Sequence, residues 1–196
     1  VFDIAFNPVS PTRLFSCGAD SMVYKWDLET DEMIHWYRQK GKVLTISLSN
    51  DGRYLSLIST DSAFAIWNVE TNKKPYYGKI HTYQPGVYTN YSTGSFSADS
   101  KYFIYPKARD SFNVVDLNNY YERIYSTQLT YNLSDMVFSK DGNSLFARFN
   151  YGPLRIYNFA GWDIRNSPTL SFNDIKTYAN LAVGVQFTND DNNLVL

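Results

Sequence analysis

The stretch that decides the fold is Cys17-Gly18-Ala19-Asp20-Ser21-Met22-Val23-Tyr24-Lys25-Trp26-Asp27-Leu28, in which a turn leads into a strand that ends in Trp-Asp. The small and polar residues at its start favour a turn. The β-branched and aromatic residues that follow favour a strand. The same order returns at residues 59–69, where Trp67-Asn68 ends the run. This recurrence indicates a repeated β-hairpin unit.

Two sequence anchors recur in phase along the chain. The first is an apolar residue followed by a polar turn, with successive copies 42 to 49 residues apart. The second is a β-rich run ending in a bulky residue and then Asp or Asn, at spacings of 41 to 48 residues. The copies of the first are Phe6-Asn7-Pro8, Leu48-Ser49-Asn50-Asp51-Gly52, Phe96-Ser97-Ala98-Asp99, Phe138-Ser139-Lys140-Asp141-Gly142 and Phe187-Thr188-Asn189-Asp190. The copies of the second are Trp26-Asp27, Trp67-Asn68, Val115-Asp116 and Tyr157-Asn158.

Each unit is predicted to contain four short strands. We expect strands at 2–6, 13–17, 22–26 and 33–37 in the first unit, and at 43–48, 54–58, 63–67 and 75–80 in the second. No window keeps apolar residues at helical spacing, so we expect almost no helix. Four antiparallel strands every ~40–45 residues are typical of a β-propeller blade, so the predicted fold class is an all-β propeller. The predicted blades occupy 1–41, 42–87, 88–132 and 133–180, with a partial fifth at 181–196.

The first two units resemble the ends of WD40 repeats, and the resemblance covers essentially the whole chain. It implies that Asp20 and Asp61, each six residues before the Trp, accept hydrogen bonds within their own blades. Asp110 stands near this place in unit three, and Tyr151 replaces it in unit four. The Gly-His pair that WD40 repeats carry in the loop before the first strand is missing. Units three and four also lack the Trp of the second anchor. The residues expected to have structural roles are Asp20, Trp26, Asp27, Asp61, Trp67, Asn68, Asp116 and Tyr157, with both Trp side chains buried between blades.

Propellers close with typically 4–8 blades, and closure removes exposed sheet edges. Four units and the start of a fifth predict part of a seven- or eight-bladed ring, with a four- or five-bladed closure as the alternative. The chain begins and ends inside apolar runs, so we expect it to be part of a longer chain.

The composition narrows the function classes. The chain has 196 residues, 17% of them aromatic, and a net charge of -1, which gives no electrostatic reason to bind nucleic acid or an anionic membrane. A single cysteine excludes an internal disulfide and agrees with a reducing compartment. We therefore expect an intracellular protein, cytoplasmic or nuclear, that does not insert into a membrane.

No catalytic motif emerges from the sequence. A G-x-S-x-G nucleophile elbow, a P-loop and a G-x-G-x-x-G are all absent. His35 and His81 lack metal-ligand spacing, Cys17 has no indicated base, and Asn189-Asp190-Asp191-Asn192-Asn193 fits a hairpin turn better than a calcium loop. We expect no enzyme activity, no metal and no cofactor.

The remaining candidates are surface residues for protein partners. Tyr and Arg are enriched at binding hot spots, and the loops at one face of the blades carry several. The expected contact residues are Tyr83, Tyr88, Arg109, Tyr131, Tyr151 and Tyr178, with Lys40 and Lys42 nearby. Trp162 lies in a long link between third and fourth strands, where it either docks a partner or packs onto its own blade.

The resemblance implies a non-catalytic WD40 scaffold that mediates protein–protein interactions in a larger complex. Two alternatives stay open. One is an RNA-contacting subunit of a ribonucleoprotein or of the ribosome-assembly machinery. The other is the propeller domain of a larger enzyme, such as a serine peptidase.

Overall fold

The computed structural model describes residues 1–61, 63–79, 94–108, 111–119, 122–126, 132–150, 152–166, 169–175, 186–187 and 194–195. These residues form strands and turns and no helix, which confirms the all-β prediction. The strands are β1 (Asp3–Asn7), β2 (Ser10–Cys17), β3 (Met22–Asp27), β4 (Glu32–Arg38), β5 (Val43–Leu48), β6 (Tyr54–Ser59), β7 (Ala63–Asn68), β8 (Lys73–Lys79), β9 (Ser95–Phe96), β10 (Tyr102–Ala108), β11 (Ser111–Asp116), β12 (Glu122–Ser126), β13 (Asn132–Phe138), β14 (Ser144–Asn150), β15 (Leu154–Asn158), β16 (Phe172–Ile175), β17 (Gln186–Phe187) and β18 (Leu194–Val195).

Within each sheet, every strand pairs antiparallel with the next one along the chain. This produces four four-stranded sheets, β1–β4, β5–β8, β9–β12 and β13–β16, here called blades 1 to 4, and a two-stranded β17–β18 sheet. The predicted and observed strands of the first two units agree closely. One difference is β2, which begins at Ser10 because Ser10 pairs with Asn7 across a tight hairpin. Pro11 therefore lies inside β2, before the predicted start of the strand at residue 13.

The chain divides into two compact units, Val1–Tyr83 and Gln84–Leu196. In the first unit, blades 1 and 2 pack face to face. Phe15, Cys17 and Val23 of blade 1 form a buried cluster with residues of blade 2 that include Ile46 and Leu57. Because side chains alternate across a strand, one face of each sheet supplies this core.

The second unit has a core of its own between blades 3 and 4. Phe112 and Val114 of blade 3 are fully buried, and Leu145 of blade 4 packs in the same cluster. Tyr157, which stands where blades 1 and 2 have Trp, meets Phe112 edge-on with ring centroids 5.1 Å apart. Aromatic packing thus occupies this position of blade 4 in place of the missing indole.

The first sequence anchor is a hydrogen-bonded turn that repeats in three blades. In blade 2 the Ser49 hydroxyl donates to the Asp51 carboxylate at 2.6 Å and accepts from the Tyr54 amide at 2.9 Å. The Asp51 carboxylate also accepts from the Arg53 amide at 3.0 Å. Equivalent bonds join Ser97, Asp99, Lys101 and Tyr102 in blade 3, and Ser139, Asp141, Asn143 and Ser144 in blade 4. We call this the Ser-x-Asp turn.

Candidate functional site

Most of the predicted partner-contact residues fall outside the described part of the chain. They are Tyr83, Tyr88, Arg109, Tyr131, Tyr151 and Tyr178, and Asp110 and His81 lie outside it as well. Among the predicted contact residues, Trp162 is described, as are the neighbouring lysines Lys40 and Lys42.

Trp162 belongs to the segment 159–171 that links β15 to β16. Its indole is part-buried and lies 5.2 Å from the ring of Tyr102, 5.9 Å from that of Tyr125 and 4.8 Å from that of Phe159, between ring centroids. Tyr102 and Tyr125 belong to blade 3, so the indole packs on a neighbouring blade as well as on Phe159 of its own link. No local sequence pattern encodes this contact, because Trp162 and Tyr102 are about 60 positions apart.

The two turn aspartates accept hydrogen bonds inside their own blades, as the sequence predicted. Asp20 accepts from the Met22 amide at 3.1 Å and from the Tyr24 hydroxyl at 2.6 Å. The Tyr24 hydroxyl is the largest cause of the lowered pKa of the Asp20 carboxyl. Asp61 accepts from the hydroxyl of Ser59.

The two anchor tryptophans differ in their surroundings, although both are part-buried. Trp67 lies between blades 1 and 2, against the rings of Trp36 and Tyr37 of β4. Trp26 lies opposite Leu14 in the β2–β3 pairing, on the sheet face that points away from blade 2, and its indole nitrogen donates to Ser16 Oγ at 2.8 Å. Trp67 therefore lies between two blades, as expected, whereas Trp26 does not face blade 2. Both side chains are part-buried, which is less burial than predicted. The anchor side chain of blade 2 faces the preceding blade in chain order, which explains why Trp26 of blade 1 points away from blade 2.

The Asp or Asn of the second anchor caps the turn that follows the third strand. Asp27 accepts from the Glu29 amide at 3.1 Å, and Asn68 accepts from the Glu70 amide at 3.1 Å. Asp116 and Asn158 make the same bond to the amides of Asn118 and Ala160, each at 2.9 Å. Because Asp and Asn both present a side-chain oxygen at this position, either residue serves, which explains their alternation along the repeat.

Cys17 and His35, which the sequence offered as a nucleophile and a metal ligand, both pack against neighbouring side chains. Cys17 is 1% exposed, and burial raises the pKa of its thiol to about 12. The His35 ring packs edge-on against Tyr24 at 4.9 Å. Within the described ranges, no three His, Cys, Asp or Glu side chains are grouped so that they hold a metal ion. The same part of the chain has no helix with the length and apolar character needed to cross a bilayer.

One cavity of about 350 Å³ lies between blades 1 and 2. It is bordered by the β1–β2 hairpin of blade 1 and by the Ser-x-Asp turn of blade 2. Val9, Phe15 and Val69 supply apolar lining, Lys25 supplies a cation, and Glu70 supplies a carboxylate. Polar and charged residues outnumber the apolar residues in this lining.

Comparisons with known proteins agree with this architecture. No model of a known protein family matches the sequence. Over 79 residues, which are 40% of this chain and 12% of the relative, the sequence is 29% identical to a coronin-like protein of Saccharomyces cerevisiae. A chain in the crystal structure of a mitotic checkpoint complex superposes with a TM-score of 0.69 and 15% identity, over 97% of this chain and 54% of that chain.

This chain therefore spans about half the length of the matched structure and a small part of its curated relative. The phased anchors, the four antiparallel sheets and the two likenesses lead to one conclusion. The chain has the all-β blade fold of a WD40-type β-propeller.

Proposed function

We propose that this chain is a non-catalytic WD40 scaffold that binds other proteins as a subunit of a larger intracellular assembly. The observation that carries the proposal is the repetition of the same turn hydrogen bonds from blade to blade. The Ser-x-Asp turns of blades 2, 3 and 4 are held before any partner arrives. A surface ordered in advance loses less conformational entropy on binding, which favours rigid display of contact residues.

One further observation supports a binding role in an assembly, and a second one agrees with the absence of thiol chemistry. The solved chain that shares this fold comes from the Mitotic Checkpoint Complex, which is a multi-protein assembly by its name. The buried Cys17 has a thiol pKa of about 12, so it supplies no thiolate at neutral pH. A lone, reduced cysteine is also compatible with a reducing compartment.

The proposed contact residues are the tyrosines and the arginine predicted from the sequence. They are Tyr83, Tyr88, Arg109, Tyr131, Tyr151 and Tyr178. Tyr and Arg combine apolar area with polar groups at a modest cost in side-chain entropy, which is why they dominate binding hot spots. We assign Trp162 to holding the 159–171 segment, since its indole is engaged by Tyr102 and Tyr125.

The test is native affinity purification of the tagged chain followed by mass spectrometry and size-exclusion chromatography. We expect defined protein partners that co-elute with the chain, and loss of a partner in the double variant Tyr83→Ala/Tyr88→Ala. The matched control is Tyr77→Ala, since Tyr77 on β8 is exposed and outside the proposed set. A chain that stays without partners, or that is recovered only with RNA after ultraviolet crosslinking, would contradict the scaffold.

A further inference from the structure

Lys25 occupies an unusual place on the sheet of blade 1. In the β2–β3 pairing it lies directly opposite Phe15, and residues directly opposite each other share a face of the sheet. Phe15 is 1% exposed and belongs to the core between blades 1 and 2. Lys25 therefore projects toward blade 2, where it is part-buried and lines the 350 Å³ cavity.

The corresponding residues of the other blades are apolar. The residue before the second anchor's bulky side chain is Ile66 in blade 2, Val114 in blade 3 and Ile156 in blade 4. Ile66 and Val114 are fully buried. At this position the other blades therefore pack with a branched aliphatic residue. Lys25 brings a charge to the same position, and packing between blades does not require that charge.

Two other charged groups around the cavity, Arg13 and Asp51, have partners in the chain. Arg13 is bonded to Asp27 at 3.2 Å, and Asp51 is bonded to Ser49 and Arg53. The Lys25 ammonium makes no hydrogen bond or ion pair to any residue that the structure describes. An ammonium that lines a cavity is stabilised by an anionic partner, because hydrogen bonds between opposite charges are the stronger ones.

We propose that the cavity between blades 1 and 2 binds an acidic side chain of a partner protein, with its carboxylate held by Lys25. The methylene groups of that Asp or Glu side chain, and its apolar neighbours, would pack on Phe15, Val9 and Val69. This inference rests on the proposed scaffold function and gives it a chemical specificity. The partner is a peptide segment in which one carboxylate is flanked by apolar residues.

The charge distribution favours one carboxylate over a dense polyanion. Asp51 and Glu70 lie on the blade 2 side of the same cavity, and both are negative. A nucleic acid or a polyphosphate would bring several negative charges next to these carboxylates, which is unfavourable. A single Glu side chain places its charge at Lys25 while its backbone stays neutral.

The test is NMR of the purified chain with defined probes. The probe is the capped peptide acetyl-Leu-Glu-Leu-amide, and the control is acetyl-Leu-Gln-Leu-amide, which differs only in the charge. We expect the Glu peptide to shift the Lys25 Nζ resonance and the methyl resonances of Val9 and Val69, with affinity about tenfold above that of the Gln peptide. This comparison uses the unmodified chain and so does not depend on how any variant folds.

Substitutions then assign the effect to Lys25. Lys25→Met keeps the aliphatic stem and should lower the affinity for the Glu peptide about tenfold to that of the Gln peptide. Lys25→Arg should retain binding, and so should Lys73→Met, which removes an exposed lysine elsewhere in the first unit. Equal binding of the two peptides, unchanged binding in Lys25→Met, or equal shifts with inorganic phosphate would each overturn the inference.

Failure of the acidic-residue site can be distinguished from failure of the scaffold proposal. If native purification recovers partners from both the unmodified chain and Lys25→Met in equal amounts, the acidic-residue site is wrong and the scaffold stands. If no partner is recovered from the unmodified chain, the scaffold proposal itself fails.

Discussion

The indole of Trp36 on β4 meets the indole of Trp67 on β7 edge-on, with ring centroids 5.2 Å apart and planes inclined by 62°. Tyr37 packs against Trp67 as well, at 4.4 Å between centroids. The fourth strand of one blade and the third strand of the next are thereby joined by aromatic rings. Edge-on pairs of this kind add to the stability that burial provides.

Trp67→Ala should therefore destabilise the first unit strongly. Removing a large aromatic side chain that packs between two blades leaves a cavity, and we expect a loss of about 3 kcal/mol in the free energy of unfolding. Trp26→Ala, on the face pointing away from blade 2, should cost clearly less. Urea denaturation followed by fluorescence compares the two variants, and equal losses would contradict the different packing of the two residues.

Gly52 should tolerate no side chain. It has a φ of 71°, and a Cβ built there would lie 2.4 Å from Asn7 Oδ1 and 2.8 Å from Val9 Cγ2 of blade 1. Gly52→Ala combines backbone strain with a steric overlap, so we expect a loss of about 3 kcal/mol. The matched control is Gly161→Ala, which has a φ of 65° but no atom within 4 Å of the added Cβ, and which should cost about 1 kcal/mol.

Thermal unfolding monitored by circular dichroism measures both glycine variants. Similar melting temperatures for Gly52→Ala and Gly161→Ala would show that the close approach of the Ser-x-Asp turn to blade 1 does not constrain the backbone.

Acid should weaken the Ser-x-Asp turn of blade 4. The Ser139 hydroxyl, followed by the Asn143 amide, lowers the pKa of the Asp141 carboxyl below its ordinary 3.8. A carboxyl whose pKa is lower in the folded state stabilises the fold at pH values above the unfolded pKa, and this contribution disappears as the pH falls through the folded pKa. Ser139→Ala should raise the Asp141 pKa in an NMR titration of the carboxyl carbon. An unchanged titration would mean that the hydroxyl does not stabilise the charged carboxylate.

The repeat itself was predictable from the sequence, because its signals are local. The Asp or Asn after each third strand caps its own turn, and the Ser-x-Asp turn closes within a few residues, so both keep their period.

The position of Trp162 was not predictable, because Tyr102 lies about 60 residues earlier and no local pattern encodes their contact. The face on which Trp26 lies depends on the direction in which blades follow one another, which strand alternation alone does not define. Lys25 was detectable in principle, since aligning the second anchors sets it against Ile66, Val114 and Ile156.

Cys17 should be unreactive in the folded chain. Its thiol is 1% exposed, and burial, with the nearby Asp3 carboxylate, raises its pKa to about 12. At pH 8 the thiolate fraction is negligible and the reagent has no access, so Ellman's reagent should label the native chain far more slowly than the chain in urea. Rapid stoichiometric labelling without urea would show that β2 opens readily or that the sulfur is accessible.

Trp162→Ala distinguishes the two roles that the sequence allowed for this residue. The indole contacts Tyr102 and Tyr125 of blade 3 and Phe159 of its own link, so its removal should destabilise the second unit by about 3 kcal/mol. Trp162→Phe keeps a ring at this site and should recover a large part of that loss. Partner capture at a temperature where the variant is folded should match that of the unmodified chain. If Trp162→Ala instead unfolds like the parent chain while losing a partner, the indole is a docking residue and its ring contacts within the second unit contribute little to stability.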